Sequence, residues 1–208
     1  MGHQGRASRD RMLVAAETLL REGGLAGAGI QQVVARSRAP IGSVYHFFPG
    51  GKNQLVAEAL RIHGEKARAL FESMLADTAE PLPDRFRTFA RTAAAGFDRA
   101  GANKGCAIGS VALDLEAGDE RLRKLCQDAF DGWIASIAKA LPWADEARRR
   151  SFAEMVVAAF EGAFILSRAR RSGKPFIAVG EWLATMVERF PSDTSRRKRR
   201  TRHGFASR

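Results

Sequence analysis

The sequence predicts an all-α protein in which a small N-terminal head of three helices is joined to a larger helical bundle, with about nine helices in total. Three observations support this prediction. Apolar residues recur at the spacing of a helix rather than of a strand. Gly and Pro interrupt the pattern at intervals, and the segments between them are short at first and long afterwards. No segment of about 20–50 residues repeats, which argues against a solenoid.

The predicted head begins with a helix that Ser8 caps and that ends at Gly23 and Gly24. An apolar stripe on one face of this helix consists of Met12, Leu13, Ala16, Leu19 and Leu20. Two helices of barely two turns follow at 30–37 and 41–48 and are joined by residues 38–40. Because an isolated helix in water needs about 12–15 residues to be even marginally stable, both are expected to pack on the first helix.

The predicted bundle consists of longer segments that Pro and Gly separate. Helices are predicted at 52–76, 83–100, 105–117, 119–140, 145–171 and 176–190. The clearest break between them is the sequence AEPLP at 79–83. We therefore expect an N-terminal domain over residues 1–50, a helical bundle domain over 51–191 and a basic, disordered tail over 192–208.

The net charge of +11 lies mainly at the two ends of the 208-residue chain. Residues 1–52 contribute +4 and residues 192–208 contribute +6, which leaves +1 for residues 53–191. Such an excess is typical of contact with a polyanion or, for the tail, of a solvated segment. No apolar run approaches the roughly 18 residues of a membrane span, and the N-terminus lacks the apolar core of a signal peptide. We therefore expect a cytoplasmic protein.

The cysteines and histidines argue against several classes of site. Cys106 and Cys126 are far apart and belong to no Cys-x-x-Cys or Cys/His motif. The four histidines form no catalytic spacing pattern with Ser, Cys or Asp, and the sequence has no phosphate-binding loop. Asp114 and Glu116 are two residues apart on a predicted helix and point to different faces, so they are poorly placed as a paired acid and base. We therefore expect no enzyme activity, no metal and no cofactor.

The stretch RAPIGSVYHFFPGGKNQL, residues 38–55, has the layout of a helix-turn-helix. In this motif the second short helix lies in the major groove of DNA. Val44 and Phe48 are four residues apart and are expected to face the core, which leaves the other side of their helix exposed. Tyr45 and His46 offer a hydroxyl and an imidazole to phosphate oxygens. Lys52 adds a cation beside a helix N-terminus, and both attract phosphate.

The run VVARSRAPIGSVYHFFPGGKNQLVAEAL, residues 33–60, resembles the DNA-binding head of TetR-type transcriptional regulators, and the likeness extends over about residues 8–68. The run GCAIGSVALDLE, residues 105–116, is similar to the LmrA/YxaF-like branch of that family. The resemblance implies a homodimer whose heads bind a palindromic operator in double-stranded DNA. It also implies that the bundle domain serves for dimerisation and binds a small-molecule effector that relieves repression.

The resemblance also assigns DNA-binding roles to individual positions. These are Gln31, Gln32, Arg38, Ala39, Pro40, Ile41, Ser43, Tyr45, His46 and Lys52. In the family, the positions of Tyr45, His46 and Lys52 contact phosphates, whereas those around Ile41 form the surface that reads the bases. This sequence departs from the family pattern at Arg38, where the turn usually has Gly, and at Ile41, which replaces a basic or polar residue. Phe47 replaces a ring that bears a hydroxyl or an imidazole. Ile41 suits a thymine methyl group and Arg38 suits a phosphate.

The bundle domain interleaves apolar residues with small ones, a composition that allows close helix packing and can also leave a cavity. The candidates for lining such a cavity are Phe71, Phe89, Phe97, Ile108, Leu113, Phe130, Trp133, Phe160 and Phe164. Together they would suit a small apolar or aromatic effector. Each of them taken alone is more typical of ordinary core packing.

The last two predicted helices, 145–171 and 176–190, form the dimer interface in the family that the sequence resembles. The candidate interface residues are Ala159, Gly162, Ala163, Leu166, Trp182, Met186 and Phe190. Burial of these side chains within a single chain is the alternative. A protein that reads two half-sites about 34–36 Å apart needs two heads, which favours the dimer.

Two other functions fit parts of the sequence. Cys106 lies near a predicted helix N-terminus, where a thiolate is stabilised, so a thiol redox-sensing regulator is one alternative. A buried packing cysteine is the plainer interpretation of the same residue. The basic tail fits a non-specific architectural DNA binder, which would have weak sequence preference and no effector.

Overall fold

The computed structural model describes residues 3–189, and within this range the chain forms nine α-helices and no strand. The helices are α1 (His3–Gly27), α2 (Ile30–Ser37), α3 (Ile41–Phe47), α4 (Gly51–Ala76), α5 (Leu82–Arg99), α6 (Ala107–Leu113), α7 (Glu120–Ala140), α8 (Glu146–Arg170) and α9 (Lys174–Arg189). The predicted all-helical fold is confirmed. Two predictions, the basic tail over 192–208 and the contact at Phe190, lie outside the described residues. None of the nine helices is both long enough and apolar enough to cross a membrane.

The chain folds into two compact units. The first unit contains the chain up to Ala69 together with Ala100–Gly132, and the second contains Leu70–Arg99 together with the chain from Trp133 onward. Helices α4 and α7 each contribute residues to both units. The functional boundary that the sequence places at residue 50 stays a prediction.

The first helix is interrupted where the sequence predicts its end. Gly23 has φ −146° and ψ 20°, and Gly24 has φ 60° and ψ −152°, neither of which is helical. The positive φ of Gly24 is a conformation that glycine adopts at little cost. At the other end the prediction was wrong, because α1 begins at His3 and Ser8 lies inside it. The Ser8 hydroxyl accepts a 3.0 Å hydrogen bond from Arg11 instead of capping the helix.

The core of the first unit lies against α1. Helices α2, α3 and α6 all pack on α1, which confirms the prediction that the two short helices pack on the first. Five apolar side chains from the first three helices and the residue after α3 are fully buried there: Met12, Leu20, Val33, Val44 and Phe48. Large apolar side chains buried to this degree contribute roughly 1.5–3 kcal/mol each to folding.

Helix α6 is shorter than the predicted 105–117. Cys106 has an extended backbone, with φ −79° and ψ 132°, and its sulfur accepts the N–H of Gly109 as an N-cap. Asp114 ends the helix, and its carboxylate accepts a 2.7 Å hydrogen bond from the N–H of Leu25. Both ends are therefore set by side chains that make specific contacts rather than by Gly or Pro.

In the second unit, α9 packs closely on α5 and also contacts α8. A Cβ added at Gly180 would overlap that of Ala90 and lie 3.1 Å from the carbonyl oxygen of Phe86, so this crossing requires a residue without a side chain. The N–H of Gly173 donates a 2.8 Å hydrogen bond to Asp98 and joins the start of α9 to the end of α5. The pairing of α5 with α9 therefore rests on backbone approach as well as on apolar burial.

Candidate functional site

The turn between α2 and α3 has a defined backbone at each residue. Arg38 ends α2 in the left-handed conformation, with φ 53° and ψ 34°. Ala39 is buried. Pro40 is the extended N-cap of α3, and its carbonyl oxygen accepts a 2.9 Å hydrogen bond from the N–H of Ser43. The left-handed Arg38 explains why glycine is the residue that fits this position best.

Helix α3 has one buried face and one exposed face. Val44 and Phe48 are completely buried. Ile41 and Tyr45 are 57% and 58% exposed, and they lie one turn apart on the same side of the helix. The predicted assignment of Val44 and Phe48 to the core is confirmed. Helix α3 therefore presents an apolar side chain and a phenol to solvent, while Val44 and Phe48 hold it in the first unit.

Contacts from α1 and α4 hold the end of α3. The guanidinium of Arg9 lies 5.4 Å from the centre of the Phe48 ring. Arg9 also forms an ion pair with Glu58 of α4. Phe47 is half-buried, and its ring packs edge-on against His46 with 4.9 Å between the ring centres. Through Arg9, the end of α3 is therefore joined to α1 and α4.

The other predicted DNA-binding residues are not uniformly exposed. Gln31, Gln32, Arg38, Pro40 and His46 are exposed. Ser43 is half-buried and the side chain of Ala39 is buried, so neither presents a full side chain to solvent. The role of all these residues in DNA binding stays a prediction.

Lys52 makes an intramolecular contact in addition to any role at DNA. It is half-buried, and its Nζ donates a 2.9 Å hydrogen bond to the carbonyl oxygen of Leu25. A lysine ammonium carries three N–H donors, so this bond leaves donors for a phosphate. The residue before it, Gly51, opens α4 with φ 61°.

A second cluster of polar side chains lies elsewhere in the first unit, and sequence analysis missed it. The Sγ atom of Cys106 is 3.6 Å from Nε2 of His63, and Nδ1 of His63 is 3.1 Å from a carboxylate oxygen of Glu17. Lys66 donates a 2.6 Å hydrogen bond to the other oxygen of Glu17. Burial alone would raise the pKa of Glu17, but the hydrogen bonds from His63 and Lys66 outweigh it and lower the pKa to about 2.

No spacing rule could have found this cluster. Cys106 and His63 are 43 positions apart, and His63 and Glu17 are 46 apart. Helix spacing connects only His63 with Lys66, which lie three residues apart on α4. The sequence contains no Cys/His motif, and the fold nevertheless brings Cys106 and His63 together.

Most of the predicted ligand-binding aromatics come together in the second unit. Phe71 lies 5.3 Å from Phe89, 6.0 Å from Trp133 and 6.2 Å from Phe160, measured between ring centres. The completely buried Phe176, which sequence analysis did not select, extends this cluster. Its ring centre lies 5.8 Å from that of Phe97, 6.3 Å from Phe160 and 4.9 Å from Phe164.

Three of the predicted ligand-binding residues lie outside the second unit. Ile108, Leu113 and Phe130 belong to the first unit. Ile108 is completely buried, whereas Leu113 is 76% exposed. Their role in ligand binding stays a prediction, as does that of the aromatic residues.

The predicted interface residues on α8 and α9 differ in exposure. Trp182 is 65% exposed, Leu166 is exposed, and Ala159, Gly162 and Met186 are half-buried. Ala163 is buried within its own unit. Two further apolar residues of the same helices, Ile165 and Ile177, are exposed and were not selected from the sequence.

Among the described residues, no three His, Cys, Asp or Glu side chains meet in an arrangement that could hold a metal ion.

Two protein families match different parts of this chain. The family described as bacterial regulatory proteins, tetR family, matches residues 12–59. The family described as transcriptional regulator LmrA/YxaF-like, C-terminal domain, matches residues 83–182. The first match contains α2, the turn and α3, and the second contains the helices from α6 to α8 and most of α5 and α9.

Similar proteins span nearly the whole chain. The uncharacterized HTH-type transcriptional regulator YxaF of Bacillus subtilis is 29% identical over 185 residues, which cover 88% of this chain and 96% of that protein. An uncharacterized HTH-type transcriptional regulator of Mycobacterium tuberculosis is 32% identical over 193 residues, which cover 86% of this chain and 93% of that protein. A crystal structure of a regulatory protein TetR from Rhodobacter sphaeroides has the same fold, with a TM-score of 0.77, 20% identity, and coverage of 86% of this chain and 97% of that one.

Proposed function

The chain belongs to the TetR family of transcriptional regulators, with a C-terminal domain of the LmrA/YxaF-like type, and we propose that it acts as a homodimeric repressor. Regulators of this family act by binding DNA and not by catalysis. In the cytoplasm, the two heads of the dimer would bind a palindromic operator. A small apolar or aromatic effector would release the dimer from the DNA.

The observation that carries the DNA-binding proposal is the division of α3 into two faces. Val44 and Phe48 anchor the helix in the core, and Ile41 and Tyr45, in the neighbouring row of side chains, are more than half exposed. A helix held in this way is suited to the major groove, where an apolar side chain meets thymine methyl groups and a hydroxyl meets phosphate. The exposed Arg38 in the preceding turn adds a positive charge beside this surface.

The exposed apolar residues of α8 and α9 support the dimer. Trp182, Leu166, Ile165 and Ile177 are all exposed in the single chain. Large exposed apolar side chains are typical of an interaction site, and a symmetric dimer buries the same residues on both copies. Operator half-sites about one helical turn apart also require two heads.

The aromatic cluster of the second unit supports the effector class. Phe71, Phe89, Trp133 and Phe160 present rings that would stack with an aromatic molecule or pack against an apolar one. Release from the operator requires that the effector bind the DNA-free form of the dimer more tightly than the DNA-bound form. Without such a difference in affinity, binding would not change repression.

A gel-shift titration tests the proposal. The purified full-length protein is titrated onto the intergenic DNA upstream of its own gene and onto an unrelated fragment of equal length, at about 50 mM and about 200 mM salt. We expect a shift of the upstream fragment that persists at the higher salt and that the unrelated fragment does not compete away. Equal binding to both fragments that collapses as salt rises would contradict an operator-specific repressor. It would favour the non-specific DNA binder that the basic tail suggests.

Light scattering on the eluate of a sizing column tests the dimer separately. We expect a mass of twice the 22.7 kDa chain. The Trp182→Glu variant places a charge on the exposed patch and should elute as a monomer with loss of operator binding. A dimer that persists in this variant would argue against α9 as the interface.

A further inference from the structure

The contacts of Cys106, His63 and Glu17 form a connected group that the proposed DNA and effector sites do not use. We propose that Cys106 is a peroxide-reactive thiol with His63 as its base, and that its oxidation to a sulfenic acid weakens operator binding. The chemical part of this proposal stands on the geometry of the first unit alone. The regulatory part rests on the proposed function as a DNA-binding repressor.

The hydrogen bonds assign the proton on the imidazole ring. Nδ1 of His63 lies 3.1 Å from the Glu17 carboxylate, which can only accept, so Nδ1 carries the proton and Nε2 carries the free electron pair. Nε2 accepts the N–H of Ala107 at 3.3 Å and faces the Cys106 sulfur at 3.6 Å. A nucleophile beside a base, with a third group that orients the base, is the arrangement of an activated nucleophile.

A hydrogen-bond donor and a base lie beside the Cys106 sulfur. The N–H of Gly109 points at Sγ from 3.5 Å, and a hydrogen bond from a donor stabilises a negative sulfur. The Glu17 carboxylate stabilises the imidazolium that forms when His63 takes the thiol proton. Lys66 on α4 pairs with Glu17, and Arg21 on α1 donates to the carbonyl oxygen of Gly105 next to the thiol. Glu17 is thus a positioning residue, and His63 is the residue that moves the proton.

The reaction balances with hydrogen peroxide as the only co-reactant. His63 Nε2 accepts the proton of the Cys106 thiol, and the thiolate attacks one oxygen of the peroxide. The S–O bond forms as the O–O bond breaks, and the departing hydroxide takes the proton from His63 to leave as water. The thiol is oxidised to a sulfenic acid, the peroxide is reduced to water, and His63 returns to its starting form.

The burial of Cys106 favours a small oxidant. Cys106 is only 5% exposed, which suits a molecule of two heavy atoms and disfavours a bulky electrophile. The other cysteine offers an internal comparison. Burial raises the pKa of the Cys126 thiol to about 11, and its sulfur donates to the carbonyl oxygen of Ile108 at 3.8 Å. Because the thiolate is the reactive form, Cys126 should stay unmodified under conditions that oxidise Cys106.

Oxidation of Cys106 would alter the contact between the start of α6 and α1, the helix on which α2 and α3 pack. Cys106 caps α6, and the neighbouring Gly105 is joined to Arg21 of α1 by hydrogen bonds of 2.8 Å and 2.9 Å. An oxygen added to a buried sulfur has to displace its neighbours, because protein interiors are close-packed. Since α6, α2 and α3 all pack on α1, a displacement of α6 changes the support of the DNA-binding helix.

The chemical part is tested by trapping the sulfenic acid with dimedone. The reduced full-length protein is treated with hydrogen peroxide, catalase removes the excess at timed intervals, and each sample is then denatured in the presence of dimedone so that the reagent reaches the buried sulfur; labelled peptides are quantified by mass spectrometry. We expect label at Cys106 in the wild type and in Cys126→Ser, and none at residue 106 in Cys106→Ser. His63→Asn keeps an amide near the position of Nδ1 but removes the base, so the labelling rate should fall by at least about tenfold. No label at Cys106, or an unchanged rate in His63→Asn, would overturn the proposal.

Glu17→Gln provides a second readout in case His63→Asn does not fold. The variant keeps an oxygen that accepts the Nδ1 proton but lacks the charge that stabilises the imidazolium. We expect the rise of labelling rate with pH to shift to higher pH, because the thiolate then forms less readily. A role of Glu17 in packing alone would leave the position of this profile unchanged, and that result would remove Glu17 from the proposal.

The regulatory part is tested by gel shift with the upstream DNA fragment. We expect peroxide to weaken binding by wild-type protein at least about tenfold, a thiol reductant to restore it, and Cys106→Ser to bind equally well with and without peroxide. Labelling of Cys106 with no change in DNA binding would overturn the regulatory part and leave the reactive thiol in place. If the reduced protein binds no DNA specifically, the proposed function fails and the regulatory part fails with it, while the labelling result still decides the chemistry.

Discussion

The ammonium group of Lys52 donates a 2.9 Å hydrogen bond to the carbonyl oxygen of Leu25, just after the break in α1. The N–H of Leu25 donates in turn to Asp114 at the end of α6. Charged side chains from two different helix ends therefore hold both backbone polar groups of one residue. Lys52 thus contacts the Leu25 carbonyl within the chain and is also proposed to contact a DNA phosphate. Experiment can separate the structural role from the DNA-binding role.

Replacing Lys52 with Met keeps much of the side-chain length but removes the charge. We expect the free energy of unfolding, measured with urea, to fall by about 1.5–3 kcal/mol because a charged hydrogen bond to Leu25 is lost. If Lys52 also contacts phosphate, operator affinity should fall equally for all DNA sequences, and the slope of log affinity against log salt should decrease by about 1. Lys139→Met, at an exposed position on α7, is the control. An unchanged salt slope would restrict Lys52 to its structural role.

Removing the Tyr45 hydroxyl should weaken binding to every DNA sequence alike. Tyr45→Phe leaves the ring on an exposed face, so stability should not change, while affinity falls by about 5–10-fold through one lost phosphate hydrogen bond. Ile41→Ala, on the same face, should instead change the ranking of operator variants that differ at thymines. Fluorescence anisotropy with a panel of labelled duplexes distinguishes the two. A Tyr45→Phe effect confined to one operator variant would contradict the phosphate assignment.

Replacing Arg38 with Gly separates backbone conformation from charge. Arg38 has φ 53°, and glycine relieves the cost of this conformation, so we expect the free energy of unfolding to rise by about 1 kcal/mol. Arg171 has φ 48° at the end of α8 and offers a matched control, since Arg171→Gly should stabilise to a similar extent. Only Arg38→Gly should also weaken operator binding. Equal operator affinity for both variants would show that the Arg38 side chain does not contact DNA.

Two glycines in the second unit should respond in opposite directions to Ala. Gly180→Ala forces a methyl group against Ala90 and the Phe86 carbonyl, and we expect a loss of about 1–3 kcal/mol in unfolding free energy. Gly96 of α5 has nothing within 4 Å of an added Cβ, so Gly96→Ala should stabilise by about 0.5–1 kcal/mol through helix propensity. Thermal melting of both variants checks the signs. Similar effects in the two variants would contradict the close approach of α9 to α5.

The ion pair of Glu17 should make stability depend on pH in an acidic window. The pKa of Glu17 is about 2 in the folded protein against 4.5 as its ordinary value. A carboxyl with a lowered pKa contributes stability that is complete above its unfolded pKa and is lost as pH falls through the folded pKa. Wild type should therefore exceed Glu17→Gln by roughly 1–3 kcal/mol above pH 4.5, with the difference shrinking toward pH 2. A difference that stays constant across this window would contradict the lowered pKa.

In the head, the sequence predicted helix bounds correctly where neighbouring residues determine them. Helix α2 spans Ile30–Ser37, as predicted, because Gly29 is extended before it and Arg38 turns left-handed after it. The division of α3 into buried and exposed faces also followed from the four-residue spacing of Val44 and Phe48. These features depend on neighbours within a few positions, which a sequence displays directly.

Features that depend on distant residues could not be predicted. Helix α6 is shorter than expected, and Asp114, where it ends, accepts a hydrogen bond from Leu25, which is 89 positions away. The approach of His63 to Cys106 likewise requires that α4 and the start of α6 be brought together by the fold. The composition of the bundle domain indicated which aromatic residues could come together, but not their contacts. Phe176 joins the cluster because α9 packs on α5 and α8. Tertiary contacts, rather than helix propensity, decided each of these cases.

The short turn between α2 and α3 also restricts how a new operator preference can evolve. Ser37 and Ala39 on one side and Val44 on the other are all buried, and only four residues separate the last two. An inserted or deleted residue would pull one of these anchors out of the core, whereas exchange of a side chain at Ile41 or Tyr45 leaves them in place. We therefore expect a new specificity to arise by substitution at constant loop length rather than by insertion or deletion in this turn.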